Sequence, residues 1–164
     1  MISLKVEDVK NFTKNIFVDE VFDNFVTSSV EIATFSKFSI DGRINSKWYT
    51  SEELEEISDE YIKWSNLKKY VYDIIKGNKV PSFFKIVLLL SKENTINTIQ
   101  KYSYEITQND VSGLFLNIVY ENNKINIITG ISYKSFVMDK TLDKEWDNSI
   151  KIFLNKHGIE YEEL

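Results

Sequence analysis

The 164-residue chain contains no cysteine. A disulfide framework, a thiol nucleophile, a thiolate zinc site and an iron–sulfur cluster are thereby excluded. It has a single histidine, His157, so a His-rich metal site cannot be built and a His–carboxylate relay would have only that imidazole to use. One proline and five glycines exclude collagen, a low-complexity linker and a long disordered tail. Long apolar runs are missing too. The longest, Ile86 to Leu90, falls far short of the roughly 20 residues of a membrane span, so no membrane partner is expected. Met1-Ile2-Ser3-Leu4-Lys5 is not followed by the apolar core of a signal peptide, and a cytoplasmic location is the expectation.

Excess positive charge is also lacking. Twenty basic residues against 25 acidic ones leave a formal net charge of −5. A dedicated nucleic-acid binder rests on a basic footprint, so this balance disfavours one without forbidding a single basic face. Apart from Arg43, every basic residue is Lys. What the chain has in quantity is apolar and aromatic: 43% hydrophobic residues, with 3 Trp, 9 Tyr and 11 Phe. That is enough for one core, and residues 1–164 are expected to form a single domain.

The patterning then assigns elements. Ile2, Leu4 and Val6 alternate as a short strand, and Asp8 caps a helix whose Val9, Phe12 and Ile16 share a face. From Val26 to Ile40 the period becomes two, long enough for two strands with a bend near Thr34 to Lys37. Asp41-Gly42 marks a turn, and Arg43 to Asn45 begins a return. Thr50-Ser51-Glu52-Glu53 is a capping box opening a long helical segment, 51–76, with a weak point near Ser58-Asp59 and a terminal glycine, Gly77. Ser82 to Leu90 reads as a central strand buried on both faces. Ser91 caps a short helix, and 103–110 is polar loop. Leu114 to Tyr120, Glu121-Asn122-Asn123-Lys124 and Ile125 to Thr129 form the clearest hairpin. A strand near Tyr133 to Met138 follows. A last helix then carries Trp146, Ile150, Phe153, Leu154 and His157 on one face, and Gly158 ends it.

Helices set between antiparallel hairpins define an α+β fold, a mostly antiparallel sheet with packed helices. Residues 3–43 and 83–140 read as pseudo-repeats of a strand–helix–hairpin unit. Each ends in an aromatic strand closing on Asp: Phe38-Ser-Ile-Asp41 and Phe136-Val-Met-Asp139.

Few constellations outlast their structural explanation. Asp41-Gly42-Arg43 holds the one guanidinium, suited to a carboxylate or phosphate; turn chemistry accounts for it more simply. His157 before a glycine is better read as a helix C-terminal cap than as a base. Glu52, Glu53, Glu55, Glu56, Asp59 and Glu60 form an acidic helix start, and Lys63, Lys68, Lys69, Lys76 and Lys79 follow with only Asp73 opposing them. This charge order suits the helix dipole; the alternative is a lysine face touching phosphates. Trp64 and Trp146 fall on apolar helix faces and are assigned to the core. Trp48-Tyr49 is less constrained and suits a partner-binding patch. No Walker, Rossmann or nucleophile-elbow pattern is present, and no cofactor, metal ligand set or catalytic group is assigned.

Three stretches carry a resemblance: Phe38-Ser-Ile-Asp-Gly-Arg-Ile, Trp64 through Ile75-Lys-Gly-Asn-Lys-Val-Pro81, and Ile128-Thr-Gly through Met138-Asp-Lys to Trp146-Asp147. They resemble a family of uncharacterised small bacterial proteins, a domain of unknown function, over most of the chain. Lys85 through Asp139 is also similar in order to the strand–helix–hairpin–strand unit of one domain of a DNA sliding clamp, with Leu116 to Gly130 resembling its first hairpin. That resemblance implies a duplicated, clamp-like fold and a DNA-related role. The short helices depart from it, carrying only Lys10, Lys14, Lys92 and Lys101 where clamps present basic helices. The leading functional expectation is a non-enzymatic protein-binding module using Trp48, Tyr49, Asp41 and Arg43 or an uncovered sheet edge. The alternatives are a DNA-associated accessory factor using Lys63 to Lys79, and a metal-dependent or hydrolytic enzyme using Asp41, Asp139 or the acidic helix start.

Overall fold

A computed structural model describes residues 1–103 and 105–164; Tyr104, in the loop expected over 103–110, lies outside them. Among the described residues the order is β1 (Ser3–Val6), α1 (Val9–Phe17), β2 (Val26–Ala33), β3 (Lys37–Asp41), α2 (Ser51–Glu56), β4 (Ile62–Lys63), α3 (Trp64–Ile75), β5 (Phe83–Leu89), α4 (Lys92–Tyr102), β6 (Val111–Glu121), β7 (Lys124–Tyr133), α5 (Thr141–Lys156) and β8 (Tyr161–Glu163). All strand pairings are antiparallel, in the order β3-β2-β5-β6-β7-β1-β8, and β4 pairs with the start of β2. This is a single α+β domain. Among the described residues no helix is long and apolar enough to cross a membrane.

Local chemistry sets the boundaries. The Asp8 carboxylate accepts from Asn11 N–H (2.9 Å) and Ser91 Oγ from Asn94 N–H (3.3 Å), so α1 and α4 each start on a side-chain cap. Asn122 and Asn123 take φ of 52° and 58°, the left-handed pair of a two-residue hairpin, which Asn tolerates better than most residues. Gly158 has φ 66° behind α5, and His157 Nδ1 lies 2.8 Å from the Phe153 carbonyl, which places the imidazole as a C-terminal cap.

The sheet has two unlike faces. Val30, Ile32, Phe84, Ile86, Leu88, Leu116, Ile118, Ile125 and Ile127 are all but sealed from solvent on one face. Helices α1, α3 and α5 bring Phe12, Ile16, Phe17, Trp64, Val71, Trp146, Ile150 and Leu154 into the same core. Both buried indoles find acceptors: Trp64 Nε1–H donates to the Ile16 carbonyl (2.8 Å) and Trp146 Nε1–H to that of Phe115 (3.0 Å). Burying Trp without a partner for its N–H would forfeit a hydrogen bond, so these two contacts fix where α3 and α5 lie. On the opposite face, Glu31, Lys85, Val119, Asn126, Lys5 and Glu162 form one row across six strands. They are half-buried or exposed.

Four expectations change. β5 is central, but its burial alternates, because helices pack on one face of the sheet only and Phe83, Lys85 and Val87 point to the other. The helical segment 51–76 breaks at the weak point expected near Ser58-Asp59 and forms two helices. Ile57 turns extended (φ −97°, ψ 112°), Asp59 reaches Lys92 N–H (2.7 Å), and Ile62 and Lys63 pair with Thr27 and Val26. The strand expected over Tyr133 to Met138 is absent among the described residues. β7 ends at Tyr133, and Phe136 and Met138 stand exposed beyond it, so their alternation buries no face that would hold a strand. Finally, β4 and β8 are additional strands. Even so, β1-α1-β2-β3 and β5-α4-β6-β7 share one strand–helix–hairpin order.

Candidate functional site

The segment after β3 gathers four of the residues singled out in the sequence. Asp41 Oδ1 accepts from Arg43 N–H (2.9 Å), an Asx-type turn. Gly42 N–H donates to the Ser28 carbonyl (2.9 Å), and its own carbonyl accepts from Ile62 N–H (2.8 Å). A Cβ on Gly42 would stand 1.7 Å from the Thr27 carbonyl oxygen, so no side chain fits there. Arg43 bridges to Tyr61 through the backbone, and Ile44 N–H donates to the Glu60 carbonyl, which is the return expected over 43–45. The turn thus explains the Asp-Gly-Arg triplet. It also leaves the Arg43 side chain exposed, and among the described residues it has no carboxylate within ion-pair distance.

Trp48 is 77% exposed, an unusual position for the largest apolar side chain. Its N–H donates to the Asn45 carbonyl (3.0 Å), and its ring meets Tyr49 edge to face, centroids 5.1 Å apart at 88°. Immediately after it Thr50 and Glu53 close the capping box: Glu53 N–H donates to Thr50 Oγ1 (3.2 Å) and Thr50 N–H to Glu53 Oε2 (2.8 Å). The aromatic pair therefore stands at the root of a capped helix rather than on a loose tip. Among the described residues, hydrogen bonds and ring contacts join Trp48 to Tyr49 and Asp41 to Arg43, but do not join the two pairs.

The lysine set does not form one free face. Lys68 Nζ lies 2.7 Å from Asp23 Oδ1 and 2.9 Å from the Asp19 carbonyl, with both side chains largely buried; it docks α3 onto the connection between α1 and β2. Lys76 pairs with Asp73 at 2.7 Å, and this hydrogen bond raises its pKa above the ordinary lysine value. Lys69 Nζ sits over its neighbour Tyr70, 4.9 Å from the ring centroid. Lys63 and Lys79 are exposed. The acidic candidates have local duties. Asp139 accepts from the N–H and hydroxyl of Thr141 at the start of α5, which holds its carboxyl below the usual range. Among the described residues, no group of three or more His, Asp or Glu side chains is placed to hold a metal ion.

A family model matches residues 15–162. The chain belongs to the family of unknown function DUF5721. No curated protein and no solved structure matches it.

Two features escaped sequence reading because each is assembled from distant segments. A groove of about 360 Å³ runs between α4 and α5 over Phe25, Trp146 and Phe153. A cavity of about 490 Å³ opens between the 58–61 segment, the start of α4 and the bulged start of β6. Its floor is apolar, with Val26, Leu89 and Val111 buried, and its mouth carries Asp59, Glu60, Lys92 and Lys134. The hydrogen bond from Lys92 N–H to Asp59 closes one wall by tying the 58–61 segment to α4.

Proposed function

We propose that this chain is a protein-binding module that engages its partner through Trp48 and Tyr49, with Arg43 as the neighbouring charged contact. The observation that supports this reading is the exposed Trp48 ring held edge to face on Tyr49 beside a capped helix. Trp, Tyr and Arg dominate binding hot spots because they offer large contact area and directed polar atoms at low entropic cost. A tryptophan already fixed by a neighbour loses less freedom on binding than one that is mobile. The test is affinity capture with Trp48→Ala/Tyr49→Ala beside the unaltered chain. The expected result is loss of one stoichiometric, nuclease-resistant partner with no change in melting temperature. Retention of every partner by the variant would remove the site.

A second reading, an accessory factor on nucleic acid, draws on the doubled strand–helix–hairpin order and on Lys63, Lys69 and Lys79. It predicts binding that weakens steeply with salt. Absence of binding to duplex DNA at low ionic strength would end it.

A further inference from the structure

The cavity beside α4 combines features that its structural role does not use. Val26, Leu89 and Val111, all but sealed from solvent, back it from within the fold. A second wall, Leu90 and Ile96, is half-buried. At the mouth both signs of charge occur: Asp59 and Glu60 on the 58–61 segment, Lys92 at the start of α4, and Lys134 after β7. Asp59 spends one oxygen on Lys92 N–H. Among the described residues, Glu60, Lys92 and Lys134 have no ion-pair partner of their own. Four charges that sum to zero repel a simple anion or cation about as much as they attract it. They suit a molecule carrying one charge of each sign. The half-buried Leu90 and Ile96 suit a molecule that also brings an apolar body, and about 490 Å³ lies within the range of small-molecule sites.

We propose that this cavity binds a zwitterionic small molecule with an apolar body, of amino-acid to dipeptide size. Lys92 and Lys134 receive its carboxylate, Glu60 and the free oxygen of Asp59 receive its ammonium, and Leu89 and Ile96 receive its side chain. The site is separate from Trp48 and stands whether or not the protein-binding reading does.

The test uses the full chain with the dipeptide Leu-Leu, its N-acetyl form and its C-terminal amide, read from the methyl resonances of Leu89 and Ile96. Leu-Leu is expected to move these resonances saturably, and either blocked form to bind at least tenfold more weakly. Lys92→Gln/Lys134→Gln should weaken Leu-Leu and the N-acetyl form while leaving the amide unchanged. Glu60→Gln should weaken Leu-Leu and the amide while leaving the N-acetyl form unchanged. All three side chains are exposed, so both variants should fold. Absence of a saturable shift overturns the proposal. So do equal affinities for the three probes, or variant effects that do not follow the charge removed.

Discussion

The segments β1-α1-β2-β3 and β5-α4-β6-β7 run in the same order, yet α1 buries Phe12, Asn15, Ile16 and Phe17 while α4 buries only Ile99. The first helix is a core element. Phe12 meets Phe22 edge to face, and Phe17 touches Trp64, Tyr72 and Phe84. The second helix is propped at the side of the domain, with the groove against α5 along one flank and the charged cavity at its start. The hairpins differ in the opposite sense. β2–β3 ends at a sheet edge, whereas β6–β7 is the longest pairing and lies inside the sheet. One topology thus places its rigid helix with its peripheral hairpin, and its loosely packed helix with its central hairpin. Open space beside a well-supported sheet is where a ligand can be accommodated without dismantling the core.

The largest test of this contrast is truncation of the two helices. Phe12→Ala should cost about 3–5 kcal/mol, the usual range for a sealed aromatic. Ile99→Ala should cost about 2 kcal/mol, the low end for an aliphatic, because it is the one side chain that α4 buries. Urea unfolding of both variants measures the difference. Equal losses would mean that α4 is as much a core element as α1, and the contrast would fall.

Glycines sharpen the comparison at smaller amplitude. Gly42 ends the first hairpin, where a Cβ would collide with the Thr27 carbonyl. Backbone, not a flexible side-chain end, must yield, so Gly42→Ala should destabilise by about 1–3 kcal/mol. Gly130 lies in β7 of the second hairpin with nothing within 4 Å of its would-be Cβ. Gly130→Ala there should stabilise by about 0.5–1 kcal/mol, by narrowing the unfolded ensemble. Thermal melts of the two variants should shift in opposite directions. Shifts of the same sign would show that the half-exposed sheet face is more crowded than its side chains indicate.

The parts of this fold that depend on neighbours in sequence were legible from it. Asp8 and Ser91 cap the helices assigned to them, Thr50 and Glu53 close their box, Asn122-Asn123 turns the hairpin, and Trp64 and Trp146 are core. The parts that depend on distant partners were not. Phe136 and Met138 alternate like a strand, but both stay exposed, so the alternation buries no face against the core. The helix breaks at the weak point legible near Ser58-Asp59, but what occupies the gap, Asp59 on Lys92 N–H and Ile62 on Thr27, is not encoded by helical periodicity. β8 is three residues long and is defined by Leu4–Val6 at the opposite end of the chain. Trp48 and Tyr49 could be named as a pair from sequence, but only the fold exposes the indole. The cavity draws its walls from five separate segments and left no sequence signal.

The smallest test lies where the second hairpin meets α5. Tyr133, the last residue of β7, donates its hydroxyl to Asp143 Oδ2 (2.7 Å). Partial burial, then this hydrogen bond and the charge of Asp143, push its pKa well above the ordinary value of about 10. The protonated phenol is the form the fold favours, so its contribution to stability is complete below pH of about 10 and drains away as pH rises beyond it. Ultraviolet titration of the tyrosines should therefore show one phenol ionising only with alkaline unfolding. Tyr133→Phe should abolish that lagging step and flatten the corresponding part of the stability curve. The first hairpin ends instead at Asp41, which bonds to backbone only, so no substitution there should alter the alkaline limb. A lagging phenol that survives in Tyr133→Phe would show that β7 and α5 are not joined at this point. The support for the central hairpin would then have to come from its pairing with β5 and β1 and from the Trp146 contact to Phe115.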